Sequence, residues 1–253
     1  MSRSNRNLIP SISRAARAER QSVLATPAAR ILLAASVVMA TGSCVASLST
    51  AGGTLDDDTV QLAMHSSTVA TIVFALLAGL YSASTDRRFG FIDERLLSEP
   101  RRPVVLAAKA LAVAAVGWLY GFLGALTAAV TAWSYFASQG ESLDLLSPLV
   151  TRALVGVIIA GPFYAAFGAA LGMIMPSQPM AIGGTLSWLL IIEPTLIVGL
   201  PDIGGWMPGA AGLALTNSPD PALVAQGAGG VLLAAYTVAG LGLAVFSFGR
   251  ADI

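Results

Sequence analysis

The sequence predicts an all-α integral membrane protein, a bundle of six transmembrane helices. The mean hydropathy is +0.75, and charged residues make up only 11% of the 253 residues, against about 25% in soluble domains. Apolar runs near or above the roughly 20 residues that cross a bilayer lie at about 31–50, 62–82, 104–136, 150–175, 180–200 and 222–248. These runs are continuously apolar, without the alternation of barrel strands, so helical spans are expected.

The segments before, between and after these runs complete the predicted organisation. Residues 1–30 are polar and basic, and "SISRAARAERQSVLA" suits a helix that lies on the cytoplasmic membrane surface. Residues 31–253 form the six-span domain. Within it, 85–103 is a charged connection, and 201–221 has an apolar middle too short to span. We therefore expect short re-entrant or interfacial helices at 201–221.

The basic residues set the predicted orientation. Of the 14 basic residues, only Arg152 is predicted on the side opposite the N-terminus. The acidic segments "TLDDDTV" and "GESLDLL" lie on that opposite side. Because cytoplasmic connections carry the excess of Lys and Arg, both termini and the 85–103 connection are predicted to be cytoplasmic.

Several functions lack sequence support. The chain has no phosphate-binding G-x-x-x-x-G-K-[ST] loop, and its single lysine, Lys109, follows "VVLAA", so ATP would be bound by another chain. His65 has no Cys, Asp or Glu at ligand spacing, so neither a metal site nor a catalytic base is expected there. The lone Cys44 cannot form a disulfide within the chain. The net charge of +0 gives no support for binding nucleic acid.

Lys109 and Glu193 are charged residues that lie inside apolar runs. The third run is longer than the bilayer, and we expect Lys109 near its start to reach back to the interface. Glu193, in "LLIIEPTLIVG", is the one acid inside a run, where a carboxylate costs about 2.5–3.5 kcal/mol at the bilayer centre. Two interpretations stay open: a local cap or pair near the outer boundary, with Arg152 as a possible partner, or a substrate path shared with Trp188.

The most charged stretch is "TDRRFGFIDERLLSEPRRP", residues 85–103, with five arginines and four acids. Its simplest interpretation is a basic connection that sets the topology. Its aromatic and aliphatic residues recur at near-helical spacing, however, and Pro100 ends the pattern. We therefore predict a short amphipathic helix that offers one face to a cytoplasmic partner.

This connection resembles the one between the second and third spans of type-2 ATP-binding-cassette (ABC) exporter permeases. The shared residues are an acid, a glycine, a leucine pair, a proline, paired arginines and a lysine, here Asp86, Gly90, Leu96, Leu97, Pro100, Arg101, Arg102 and Lys109. Asp86 stands where the family usually has Glu, and Phe91 where it usually has Thr. The segment "WLLIIEPTLIVGLPDIGGWMPGAAGLAL" resembles that family's fifth span and outer helix, and "AERQSVLATPAAR" resembles the segment before its first span.

The resemblance implies the permease subunit of an ABC exporter, which moves an amphiphilic small molecule, drug or lipid-like compound outward. The 85–103 connection would be a coupling helix that docks on a separate ATPase subunit. Its coupling residues would be Asp86, Arg87, Arg88, Gly90, Phe91, Glu94, Arg95, Leu97, Pro100, Arg101 and Arg102.

The same resemblance implies the partners and the location. ATP and Mg²⁺ would belong to the ATPase subunit, so no cofactor or enzyme activity is expected in this chain. A second permease chain, identical or different, and membrane lipids would complete the assembly in a bacterial plasma membrane, with both termini cytoplasmic. The alternative is an ion-gradient-driven secondary exporter, although the chain offers few ionisable residues beyond Glu193 along a midplane path.

Overall fold

The computed structural model describes residues 26–51, 56–89, 102–218 and 220–250, and within these ranges the chain is helical and has no β-strand. Six helices are long and apolar enough to cross a membrane, at Pro27–Thr50, Asp57–Arg88, Val105–Ser138, Pro148–Ile174, Gln178–Gly199 and Gln226–Ser247. The prediction of an all-α chain with six candidate spans is therefore confirmed.

We number the helices in chain order. They are α1 (Pro27–Thr50), α2 (Asp57–Arg88), α3 (Arg102–Ser138), α4 (Pro148–Ile174), α5 (Gln178–Ser187), α6 (Glu193–Gly199), α7 (Pro201–Gly204), α8 (Pro208–Leu215) and α9 (Gln226–Arg250). A π-helical turn, Trp188–Ile192, joins α5 to α6, so these segments make one candidate span. The short helices α7 and α8 occupy the segment between the fifth and sixth spans.

Polar side chains and prolines fix where several helices begin. Thr26, Asp56 and Ser147 each accept a hydrogen bond from the backbone N–H three residues later, at 3.3, 2.8 and 3.4 Å. Such a cap satisfies an N–H group that the first helical turn leaves without a partner. Pro27 and Pro148 stand at the start of α1 and α4, where a missing N–H is tolerated. The helices therefore begin at local signals a few residues before the apolar runs.

Helices α2 and α4 form the centre of the bundle. In an apolar 18-residue window of each of these spans 67% and 61% of the residues are buried, against 22% in the windows of α1 and of the fifth span and 28% in that of α9. Glycines allow this close packing, because a Cβ on Gly79 would clash with the carbonyl oxygen of Ala165, and one on Gly168 with that of Leu76. The outer helices keep most of their apolar side chains at the surface of the chain.

One end of the bundle carries the connection between α2 and α3, and we call it the loop end. Here α2 continues past the apolar run at 62–82 and ends at Arg88. Asp86, Arg87 and Arg88 therefore belong to α2 and not to a separate amphipathic helix, so that part of the prediction is wrong. A helix continues beyond its apolar run when the polar side chains of its last turns find partners.

Part of the sequence-based prediction concerns residues outside the described ranges. These are the surface helix before Thr26 and the coupling residues Gly90, Phe91, Glu94, Arg95, Leu97, Pro100 and Arg101. Their roles stay predictions. Arg102, the last of the predicted coupling residues, is the first residue of α3.

Candidate functional site

A buried ion pair joins α2 to α3 at the loop end. Lys109 Nζ lies 2.7 Å from Asp86 Oδ2, and the two side chains are only 3% and 14% exposed. The Lys109 side chain therefore ends at Asp86, in the last turn of α2, and its predicted reach to the membrane interface stays a prediction. Because a charge removed from water needs a close opposite charge, this pair holds the first turns of α3 against the end of α2.

Arg87 connects the same end of α2 to α4. Its Nη1 atom donates hydrogen bonds to the carbonyl oxygens of Met173, at 2.9 Å, and Met175, at 2.7 Å. Carbonyl groups at a helix C-terminus have no partner inside the helix, and the helix dipole favours a cation beside them. The neighbouring Arg88 places its guanidinium carbon 5.6 Å from the centre of the Phe89 ring.

These contacts form a cluster that we call the loop-end clamp, made of Asp86, Arg87, Lys109 and two carbonyl groups, that of Met173 in α4 and that of Met175 directly after it. The 90–101 connection leaves α2 just after the clamp and enters α3 about two helical turns before Lys109. The clamp therefore links both ends of the connection to three helices of the bundle.

Glu193 is the second predicted site, and it lies directly after the π-helical turn. The residue is 1% exposed, and its Oε1 accepts a 2.8 Å hydrogen bond from the backbone N–H of Ala210. Ala210 is in the first turn of α8, where N–H groups have no helical partner and favour a negative charge. The local partner of Glu193 is therefore this amide and not Arg152, which is exposed near the start of α4.

Two contacts place the start of α8 against the acid. Tyr164 on α4 is fully buried, and its hydroxyl donates a 2.7 Å hydrogen bond to the carbonyl oxygen of Pro208. Gly209 lies beside the carboxylate, because a Cβ at this position would come within 2.8 Å of Glu193 Oε2. The glycine therefore leaves the room that the carboxylate occupies.

A partly open cavity of about 570 Å³ lies beside Glu193, between α2, the fifth span and α8. Most of its lining is apolar, with polar groups from His65, Glu193, Ser218 and Asp220. Among the described residues, Glu193 Oε2 and His65 Nδ1 are buried atoms without a hydrogen-bond partner. An apolar cavity of about 300–1000 Å³ with a few polar groups is typical of a small-molecule site.

The other predicted substrate-path residue, Trp188, lies in the π-helical turn and is 40% exposed. Its indole lies close to the Glu193 carboxyl group. Trp188 is not, however, among the described residues that line the cavity. Sequence reasoning missed His65 and Asp220 as members of this site. The available signal was Glu193 itself, an acid in an apolar run, but its neighbours come from distant parts of the chain.

The clamp and the cavity are separate sites on the same helix. The cavity contacts α2 at residues 62–73 and the clamp at residues 86 and 87, a separation of about 20 Å along the helix axis. Within the described ranges, no group of three or more His, Cys, Asp or Glu residues could hold a metal ion. Comparison of the whole chain with protein-family models and with curated proteins found no match.

Proposed function

We propose that this chain is the membrane-spanning permease subunit of an ABC exporter. A separate ATPase subunit, which binds ATP and Mg²⁺, drives outward movement of an amphiphilic small molecule, drug or lipid-like compound. A second permease chain completes the assembly. The loop end faces the cytoplasm of a bacterial cell, as the distribution of Lys and Arg favours.

The loop-end clamp is the observation that carries this proposal. An exporter driven by a separate ATPase needs a connection that converts movement at the ATPase surface into movement of its spans. Asp86 and Lys109 link α2 to α3, and Arg87 links α2 to α4. A displacement of the 90–101 connection therefore acts on three helices together. Two of them, α2 and α4, are the most buried spans, and α2 also lines the Glu193 cavity.

The proposal predicts that Phe91→Ala weakens association with the ATPase subunit. If Phe91 is a central anchor of the docked connection, its truncation costs about 2 kcal/mol or more, which is roughly a 30-fold loss of affinity. The measurement is co-purification of the cognate ATPase at equal expression of each variant, together with export. Arg88→Ala is the matched control, because an exposed charge at the rim contributes only about 0–1 kcal/mol.

A second variant replaces residues 89–97 by a flexible polar linker and is expected to abolish both association and export. Membrane insertion and abundance should be unchanged, because the anchoring contacts of Asp86, Arg87 and Lys109 stay in place. Full ATPase association and export in the linker variant would show that the connection only sets topology.

The proposed orientation makes a separate prediction about labelling from each side. In a Cys44→Ala background, a cysteine at Asp57 or Ser142 is expected to react with an impermeant maleimide added outside the cell. A cysteine at Ser98 is expected to react only after the membrane is opened. Asp57 and Ser142 are exposed, so their labelling reports the side of the membrane and not burial. The reverse pattern would place the connection outside, where no ATPase could reach it.

One observation favours a second candidate function, an ion-gradient-driven secondary exporter. Within the described residues, Glu193 Oε2 is buried without a partner beside a cavity, and an acid in that position could carry a proton across part of the membrane. Export that continues with an inactive ATPase subunit, and stops when an ionophore collapses the proton gradient, would favour this alternative over the ABC proposal.

A further inference from the structure

The Glu193 cavity combines an apolar wall with a buried carboxylate oxygen, Oε2, that makes no hydrogen bond within the described residues, although the Trp188 indole and the Gly209 amide lie near the carboxyl group. Glu193 is 1% exposed, and in the described part of the chain only its Oε1 has a hydrogen-bond partner, the Ala210 amide. A buried polar atom without a partner costs about 1–3 kcal/mol, and more when it is charged. A hydrogen-bond donor on a ligand would remove this cost. Glu193 Oε2 therefore marks the position where such a donor group would bind.

The charged residues that line the cavity favour a ligand group of positive charge. Of the sixteen residues assigned to its lining in the described ranges, two are acids, Glu193 and Asp220, and none is Lys or Arg. His65 also lines the cavity, and its Nδ1 is a second buried atom without a partner in those ranges. A neutral imidazole that carries its proton on Nε2 accepts a hydrogen bond at Nδ1. The lining therefore offers acceptors and negative charge, which suits a cation with N–H donors.

The other residues that line the cavity favour a ligand whose remaining part is apolar. Apolar side chains such as Val69, Ile72, Leu189 and Ile197 make up most of the wall. A volume of about 570 Å³ is within the range of about 300–1000 Å³ found for sites that hold drug-sized molecules. Apolar groups of a ligand gain about 25 cal/mol for each Å² that leaves water, so a hydrophobic body adds affinity at this site.

We propose that this cavity binds an organic cation with an apolar body, whose ammonium group donates a hydrogen bond to Glu193 Oε2. The claim that this cation is the exported compound rests on the proposed function. The claim that the cavity binds the cation concerns this chain alone and requires no ATPase. A failure of the site is therefore distinguishable from a failure of the coupling proposal.

The experiment measures the binding of 1-aminoadamantane to the full chain in phosphatidylcholine nanodiscs by equilibrium dialysis. The amount of amine taken up by empty nanodiscs is subtracted. We expect saturable binding of this amine. We expect 1-adamantanol and 1-adamantanecarboxylate, which have the same apolar body, to bind at least tenfold more weakly, because neither carries a cation. Equal binding of the amine and the alcohol would overturn the proposal.

Glu193→Gln is expected to weaken amine binding at least tenfold and to leave the weak alcohol binding unchanged. The glutamine carbonyl oxygen can still accept the hydrogen bond from Ala210, so the start of α8 keeps its contact. Glu141→Gln, at an exposed acid, is the matched control and should bind the amine as the native chain does. Unchanged amine binding in Glu193→Gln would also overturn the proposal.

A second variant keeps the acid and narrows the cavity. Val69→Trp places an indole at the cavity wall and is expected to weaken amine binding, whereas undiminished saturable binding would mean that the amine binds elsewhere. Nanodiscs that contain phosphatidylethanolamine then identify the source of the ammonium group. If this lipid competes with the amine, the natural ligand is an aminophospholipid headgroup, and if it does not compete, the ligand is a free amphiphilic amine.

Discussion

Gly168→Leu is expected to remove nearly all folded protein from the membrane. A Cβ at Gly168 already clashes with the backbone oxygen of Leu76, and a carbonyl group in a helix cannot rotate away as a side chain can. Overpacking costs about 1–3 kcal/mol when side chains adjust, so we expect at least about 3 kcal/mol where two backbones must separate. The loss should appear as a lower free energy of unfolding in mixed detergent micelles, followed by circular dichroism.

Gly42→Leu is the matched control for this prediction. Gly42 is also inside a helix, α1, but a Cβ there meets no atom of the described residues within 4 Å. Both variants replace a helical glycine by leucine, so they differ in packing and not in helix propensity. We expect Gly42→Leu to change the free energy of unfolding by less than about 0.5 kcal/mol. Equal losses in the two variants would show that close approach of α2 and α4 does not limit stability.

Lys109→Met is expected to lower the free energy of unfolding by about 3 kcal/mol, because it removes the cation that lies 2.7 Å from the mostly buried Asp86 carboxylate. The double variant Asp86→Asn with Lys109→Met removes both charges and should recover at least about 1 kcal/mol of this loss. The measurement is a double-mutant cycle in mixed detergent micelles. Under the proposed function, export should weaken in the double variant even where it is folded, since α2 and α3 lose their ionic contact at the loop end.

Arg152→Met is the control for the loss of a cation, because Arg152 is exposed and an exposed charge contributes about 0–1 kcal/mol. If Lys109→Met destabilises no more than Arg152→Met, then the buried pair does not hold the loop end together. Under the proposed function, coupling would then depend on the contacts of Arg87 with the end of α4.

The number and type of the spans could be predicted from sequence because a bilayer imposes both on any apolar run of about 20 residues. The ends of the spans could not be predicted from hydropathy in the same way. Residues 83–88 are mostly polar, yet they continue α2, because Asp86 and Arg87 find partners on other helices. Hydropathy reports the solvent around a helix and does not report such contacts.

The candidate sites could be predicted only in part for a related physical reason. Glu193 is recognisable because an acid in an apolar run is costly, but its partner is a backbone amide, and every residue except proline has such a donor. The sequence near Ala210 has no feature that identifies its amide as the partner of Glu193, whereas the charge of Arg152 makes it an obvious candidate. Likewise, the cavity depends on how His65, Glu193 and Asp220 are brought together from three segments.

The π-helical turn before Glu193 makes the length of this segment more important than its composition. An α-helix turns by about 100° for each residue, and a π-helical turn holds a residue more than an α-helical turn would. Loss of one residue between 188 and 192 would therefore restore an ordinary α-helical turn and leave the direction of Glu193 nearly unchanged, whereas insertion of one residue would swing Glu193 by about 100° away from Ala210. Ile191, which is 65% exposed and does not line the described part of the cavity, can change without disturbing the site. A substitution at Ile191 is thus expected to be neutral, whereas insertion of a single codon in this turn would destroy the site.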